Sequence, residues 1–410
     1  MNPFVIVIVL LHLSLATTVN FTQVFEWPDG MDYEWPSEES RTNALKDGTF
    51  KPEKIAPRFM AVYKTRIFLS LYKFSNIPVT LVSLPTSSAS SASPKLTPFP
   101  SWNMHGERDC SKIQAARGLE VDSIGRLWVL DSGSENCNAK LWTIDLVNAD
   151  HTKLIHRFSF RGWVNDLVLD QTPSSGTFAY ISREDEQNIV VFSLEGNESR
   201  AVETLGVRAY SIALSPKKEP RHLYLSNFES SELYSMSVAA LRNGTRTANP
   251  KLIGNWTGNH SYRMLMDNQG TIYAALWWIN YISSWNTFQQ FEEQRFQEDG
   301  KLDASWPFTF SLDSMGTFWM TELNETASKP KYRLLKAAVG AKSYMCEPPK
   351  TGIRNFDYSA LIACLLLGLE RRYHPVVNPE DEKIKKFQRA AQRWFRGNGN
   401  ALSRHLFHRK

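Results

Sequence analysis

The 410-residue chain has only four cysteines, Cys110, Cys137, Cys346 and Cys364. None of them makes a C-x-x-C, which argues against a structural zinc site. There is no G-x-S-x-G elbow, no H-E-x-x-H, no phosphate-binding G-x-x-x-x-G-K and no G-x-G-x-x-G. Serine-elbow hydrolase, zincin and nucleotide-dependent chemistry therefore have no signature here. The nine histidines are dispersed, and no pair has ligand spacing on an expected strand. The sequence implies no metal and no cofactor. It also has no apolar run of membrane-spanning length, which takes about 20 residues. The two longest, Phe4–Ala16 and Tyr358–Leu369, are too short.

The first of these runs is followed by small residues at Ala16, Thr17 and Thr18. An apolar core of that length before such residues is expected to be a secretory signal over 1–18. Six N-x-S/T sequons agree with an extracellular fate: Asn20, Asn197, Asn243, Asn255, Asn259 and Asn324. In an oxidising compartment four cysteines suggest two bridges, with three possible connectivities. A Cys110–Cys137 bridge would stabilise the chain by ~3–4 kcal/mol in the chain-entropy account.

The formal charge of +5 is unevenly placed. Residues 371–410 hold eleven Lys/Arg against three acids, a net +8, which leaves the rest near −3. The basic character thus belongs to the tail and does not point to nucleic acid as a partner.

What the sequence does have is a repeat. Its unit is an apolar strand ending near an aspartate, a tight turn, and a second strand rich in aromatic and β-branched residues. The clearest copy is GLEVDSIGRLWVLDSG, Gly118 to Gly133, with a further strand in KLWTIDL from Lys140. Other copies start at Asn165, Ser211, Arg263 and Phe308, and a weaker one starts at Arg58. A single small sheet cannot cover both of its faces, so six copies imply sheets stacked radially into an all-β, six-bladed propeller. Ring closure needs a blade shared between chain ends, and either the segment around Phe25–Trp27 or a strand near Ala337–Val339 is expected to supply it. The stretch 86–98 reads as an exposed small-residue loop.

Residues 350–410 read as an extension. Pro379–Glu382 suits a helix start, and Ile384, Phe387, Ala391 and Trp394 share one face among basic residues from Lys383 to Arg396. Such a helix suits an anionic membrane or polyanion, although packing on the propeller or a solvated tail is the plainer expectation.

The string around Gly118–Gly133, flanked by Cys110 and Cys137, resembles the Yellow/major royal jelly family. So do DYEWPSEESR at Asp32–Arg41, ALSP at Ala213–Pro216, LYSMSVAALR at Leu233–Arg242, SWN at Ser284–Asn286 and YMCEP at Tyr344–Pro348. The resemblance covers about Val24 to Pro348. It implies a six-bladed propeller over 19–349 and insect-type secretion. It also implies roles in pigmentation, cuticle or eggshell hardening, nutrition or saliva, with an extracellular matrix as possible partner. Some relatives bind biogenic amines in the central channel, and some are reported to convert dopachrome in the melanin pathway. The sequence alone does not decide between a binding protein and an isomerase.

Two departures from the family pattern matter. The family has a cysteine where Ser284 stands, expected to bridge to the position of Cys346. Here Cys346 must find Cys364, remain free or pair between chains. The amine-binding members carry Thr-Asn-x-Phe on a channel strand, which aligns with Thr321, Glu322, Leu323 and Asn324. Glu322 could still pair with an ammonium, and a glycan on Asn324 would exclude that residue from a narrow channel. His105 and Glu107, just before the Cys110 loop, are further candidates for the mouth. The repeated Asp122, Asp170, Asp267 and Asp313, with Asp131, are read as turn acceptors for backbone N–H groups.

Overall fold

The computed structural model describes residues 19–73, 77–87, 93–172, 176–296, 306–324 and 331–347; of 306–308 it describes the backbone only. Met1–Pro349 form one compact unit, and Lys350–Lys410 fall in a second. The expected signal segment, the basic helix and Cys364 lie outside the described residues.

The repeat builds its turns by one device. In the second blade, β6 (Ala116–Val121) and β7 (Arg126–Asp131) are joined by Asp122–Gly125. Asp122 Oδ1 accepts the backbone N–H groups of Ile124 and Arg126 at 3.1 and 2.9 Å, and its Oδ2 accepts Trp128 Nε1 at 2.9 Å. Asp267 does the same for Gln269, Thr271 and the Tyr273 hydroxyl, and Asp313 for Met315, Thr317 and Trp319 Nε1. The glycine three residues on has positive φ in each case (Gly125 86°, Gly270 83°, Gly316 86°), a conformation that closes the hairpin at little cost only without a Cβ. One carboxylate thus sets the turn and also anchors the polar edge of an aromatic ring that fills the wedge between blades. Asp170 departs from this plan: its partners are the Tyr180 hydroxyl and Arg242 Nε, both at 2.7 Å, together with Arg221. Asp131 accepts backbone N–H groups from Gln114, Ala115 and Gly133.

Six four-stranded antiparallel sheets result. β1 (Thr22–Trp27) is held for the last blade. The first blade is β2 (Pro57–Tyr63), β3 (Arg66–Leu71), β4 (Leu81–Pro85) and β5 (Thr97–Pro98). The second adds β8 (Lys140–Asp145) and β9 (His151–Arg157) to β6 and β7. The third is β10 (Val164–Thr172), β11 (Gly176–Arg183), β12 (Asn188–Ser193) and β13 (Glu198–Glu203). The fourth is β14 (Ala209–Leu214), β15 (His222–Asn227), β16 (Glu232–Ser237) and β17 (Lys251–Asn255). The fifth is β18 (Ser261–Met266), β19 (Thr271–Leu276), β20 (Ile282–Asn286) and β21 (Gln294–Arg295). The sixth is β22 (Trp306–Leu312), β23 (Thr317–Asn324), β24 (Lys331–Ala338) and β1. First strands of successive blades touch around the whole ring. The two α-helices among the described residues are short, α1 (Glu38–Lys46) and α2 (Val238–Arg242).

Burial follows radius. The inner β14 is buried throughout, whereas the outer β21 is exposed. The apolar clusters lie between blades: Phe59, Phe68 and Trp142 join the first to the second, and Tyr273, Phe310 and Phe318 join the fifth to the sixth. Both expected sources of ring closure take part. β1 is the outer strand of the sixth blade, with Phe25 opposite Leu334 and Trp27 opposite Tyr332, all buried.

The chain after β24 turns across one end of the ring. Tyr344 N–H donates to Met266 O on the fifth blade at 3.2 Å, while its hydroxyl accepts from Leu169 N–H on the third at 2.9 Å. The hydroxyl also donates to Glu120 Oε2 on the second blade at 3.1 Å. The fifth and second blades face each other across the ring, so this strap closes the axis at the end where the aspartate turns lie.

Candidate ligand site at the open mouth

The opposite end is built by two backbone rules. Every inner strand breaks register once near its start, at Pro57/Phe59, Ala116/Leu119, Val164/Leu167, Ala209/Ile212, Ser261/Arg263 and Pro307/Thr309. A bulge re-aims side chains, and such bulges cluster at barrel rims and binding sites. Arg58, Arg117, Asn165, Asp166, Tyr210 and Tyr262 occupy these positions.

In five blades the residue just past the second strand donates its N–H to the carbonyl of the residue just before the first. The pairs are Tyr72 to Ala56, Ser132 to Ala115, Glu184 to Trp163, Phe228 to Arg208 and Trp277 to His260, at 2.7–3.3 Å. These clasps fix a rim of side chains on rigid strand ends.

Blades four and five make one wall aromatic. Tyr210 stacks on Phe228 with centroids 5.3 Å apart; His260 contacts both at 5.1 Å. The ladder continues from His260 to Trp277 at 6.1 Å, and from Trp277 to Tyr262 and Trp278 at 5.1 and 6.3 Å. Trp278 is 74% exposed and sits at φ +69°, a strained conformation for an aromatic residue. Burial holds the His260 imidazole down to about 4 and therefore neutral at physiological pH.

Blades one to three make the facing wall charged. The Arg58 guanidinium lies 4.4 Å from the Tyr72 ring centroid, bonds Asn165 Oδ1, and pairs with Glu184 at 3.8 Å. On the same ring, Arg117 lies at 5.6 Å, and at 5.8 Å from Trp163. Asn165 Nδ2 donates to Tyr210 O at 2.7 Å and so ties the two walls together. Burial pushes the Tyr210 hydroxyl up to about 12, with Arg58 opposing and Glu184 adding to the shift; Glu184 is also raised by burial.

Below the rim the shaft is polar. Arg263 NH1 pairs with Asp166 Oδ1 at 3.3 Å. Burial lifts Asp166 to about 6 and Glu120 to about 7, each against the pull of Arg263. Glu120 keeps part of its surface uncovered although protein surrounds it, as expected of a group lining an enclosed shaft.

The residues expected from sequence fall elsewhere. His105 is half-buried with Nε2 3.0 Å from Phe99 O, and desolvation of its ring pushes it down to about 4. Glu107 is exposed and pairs with Lys73 at 3.9 Å. Thr321 is buried opposite Thr309 on β22, and Glu322 is buried in an ion pair with Arg333 at 2.6 Å on the adjacent strand. Cys110 and Cys137 are bridged; Cys346 has a free thiol. Ser284 is buried on β20, its hydroxyl 3.4 Å from Gln294 O. Of the sequon asparagines, Asn20, Asn197, Asn243, Asn255 and Asn259 are exposed and Asn324 is half-buried. Among the described residues no group of three or more His, Cys, Asp or Glu is arranged to hold a metal ion, and no helix is long and apolar enough to cross a membrane.

The sequence reading missed Arg58, Arg117, Glu184, Glu120 and the aromatic ladder. Superposing the repeat copies position by position would expose Tyr72, Phe228 and Trp277 as one recurrent aromatic site.

A family model described as Major royal jelly protein matches residues 114–208 and 201–304. The chain is 24% identical over 320 residues to Major royal jelly protein 1 of Apis mellifera, covering 68% of this chain and 73% of that protein. These matches make the chain similar to the Yellow/major royal jelly proteins. Protein yellow of Drosophila melanogaster is 21% identical over 390 residues, covering 80% of this chain and 72% of its own length. Major royal jelly protein 3 of Apis mellifera is 28% identical over 182 residues, covering 41% and 33% respectively. In this propeller the family-model match spans the rim and shaft residues from Arg117 to Trp278. Arg58, Tyr72 and the strap residue Tyr344 lie outside it.

Proposed function

We propose that this chain is a secreted Yellow-type propeller that holds a small aromatic amine or catechol-derived ligand at its open mouth, serving pigmentation, cuticle or eggshell maturation within an extracellular matrix. The continuous ladder from Tyr210 to Trp278 carries the reading. Half-exposed aromatic faces fixed on strand ends give a planar ligand contact area at small entropic cost. Glu184, on the facing wall, supplies the carboxylate for an ammonium. Glu322 is committed to Arg333, which shifts the amine partner away from the position that the family pattern suggests. The test is calorimetric titration of the full chain with dopamine, serotonin and tryptamine, with Trp277→Ala and Glu184→Gln alongside. Saturable binding weakened by both substitutions supports the reading; no heat from any of the three amines or from the corresponding amino acids removes it.

A second reading, a dopachrome isomerase, is favoured by Glu120. A carboxyl held near 7 in an enclosed shaft, beside a tyrosine hydroxyl and an arginine, has the basicity for proton transfer at neutral pH. Loss of dopachrome absorbance faster than with heat-killed protein, and abolished by Glu120→Gln, would establish it. Equal rates would end it.

A further inference from the structure

Six basic side chains are buried among the described residues: Arg58, Arg117, Lys140, Arg183, Arg221 and Arg263. Five have a carboxylate within ion-pair distance: Glu184, Asp131, Asp185, Asp170 and Asp166 for Arg58, Lys140, Arg183, Arg221 and Arg263 respectively. Arg117 alone among them has none, although it is only 6% exposed. Its Nε donates to Ser132 Oγ at 3.1 Å, and its NH1 has no protein partner. A buried guanidinium without a counter-ion is costly, and buried charges are ordinarily paired. The faces of Tyr72 and Trp163 offset only part of that cost. Arg58, on the same Tyr72 ring, also has an NH1 without a protein partner. Two guanidinium groups with unused donors thus share one aromatic ring at the rim of the mouth, facing the aromatic ladder.

We infer that Arg117, with Arg58 beside it, is an oxyanion subsite that receives the carboxylate of the ligand, so that the mouth takes an aromatic α-amino acid in preference to the corresponding amine. The carboxylate completes the missing ion pair of Arg117, the ring lies on the ladder, and the ammonium faces Glu184. A guanidinium recognises a carboxylate through parallel N–H donors, which a lysine or an aromatic edge does not reproduce. This rests on the aromatic-ligand reading above and narrows its ligand class.

The experiment compares matched pairs on the full chain by calorimetry: L-dopa with dopamine, and L-tryptophan with tryptamine. The amino acid is expected to bind at least about tenfold more tightly than its amine, the gain typical of a hydrogen-bonded charge. Arg117→Gln should erase that difference, the amino acid losing at least about tenfold more affinity than its amine, and Arg117→Lys should restore only part of it. Thermal melts of each variant identify any that fail to fold, and the wild-type comparison needs no variant. Amines binding as tightly as, or more tightly than, their amino acids would overturn the subsite and leave the aromatic-ligand reading intact. Absence of binding by both members of both pairs would overturn both.

Discussion

The hydroxyl of Tyr344 donates to Glu120 Oε2 at 3.1 Å while accepting the N–H of Leu169 at 2.9 Å. A residue from the last described turn thereby joins two inner strands on the far side of the ring. Tyr344→Phe leaves the Leu169 amide buried without an acceptor, which costs about 1–3 kcal/mol. Urea unfolding is expected to show that loss with an unchanged slope; no change in midpoint would mean that the strap bears no load.

Glu120 couples stability to pH. Its carboxyl titrates near 7 in the folded protein against 4.5 for the free side chain, so between those values the native state binds its proton more tightly than the unfolded chain does. Its contribution is therefore full below about 4.5 and is lost as the pH rises through 7. Asp166, lifted to about 6, adds to the same trend, while Arg263 works against both. The urea midpoint of Glu120→Gln is expected to fall less between pH 5 and pH 8 than that of the wild type. Parallel curves would contradict this assignment.

Asp122 is a test of the turn device. Asp122→Ala removes the acceptor for two backbone N–H groups and for the fully buried Trp128 Nε1, and leaves Arg126 without its partner at 2.6 Å. A loss of about 3–5 kcal/mol is expected, with a smaller one for Asp122→Asn, which keeps one acceptor oxygen. A drop below about 1 kcal/mol in chemical unfolding would show that the carboxylate is dispensable.

Cys110 and Cys137 are 27 residues apart in sequence. The double serine variant is expected to lose about 3–4 kcal/mol, measured under non-reducing conditions so that the wild-type bridge persists.

The sequons can be read out directly. After expression in a secreting insect cell, enzymatic deglycosylation and peptide mass spectrometry should find the Asn-to-Asp signature at Asn20, Asn197, Asn243 and at least one of Asn255 and Asn259. Asn324, half-buried at the end of β23, should remain unmodified. A fully unmodified secreted protein would refute the glycoprotein reading.

The propeller was legible because its signals are local. Asp122, Asp267 and Asp313 each stand three residues before a glycine and six before a tryptophan or tyrosine, so the turn, the strand pair and the wedge residue lie within a short window. The mouth was not legible, because it is assembled from one or two residues of each blade. Arg58 and Asn165, which meet there, are 107 positions apart; the strap at the other end is as scattered, with Tyr344 and Glu120 224 positions apart. Glu322 shows the converse: its alignment with a channel position suggested a ligand contact, but Arg333, directly across on β24, takes the carboxylate. His105 reads as a mouth residue from its place before the Cys110 loop, yet the local bridge to Ile113 and the Phe99 carbonyl turn it inward.

Placing β1 beside β24 has a consequence for biosynthesis. About 300 residues separate the two strands, so at ribosomal rates the first strand waits roughly 15–60 s for its neighbour. Throughout that interval Phe25 and Trp27 have nowhere to go, and the nascent arc presents a raw edge at each end. Whatever compartment the chain folds in must therefore shelter a half-made circle, and the final blade assembles only when the earliest and latest parts of the polypeptide meet.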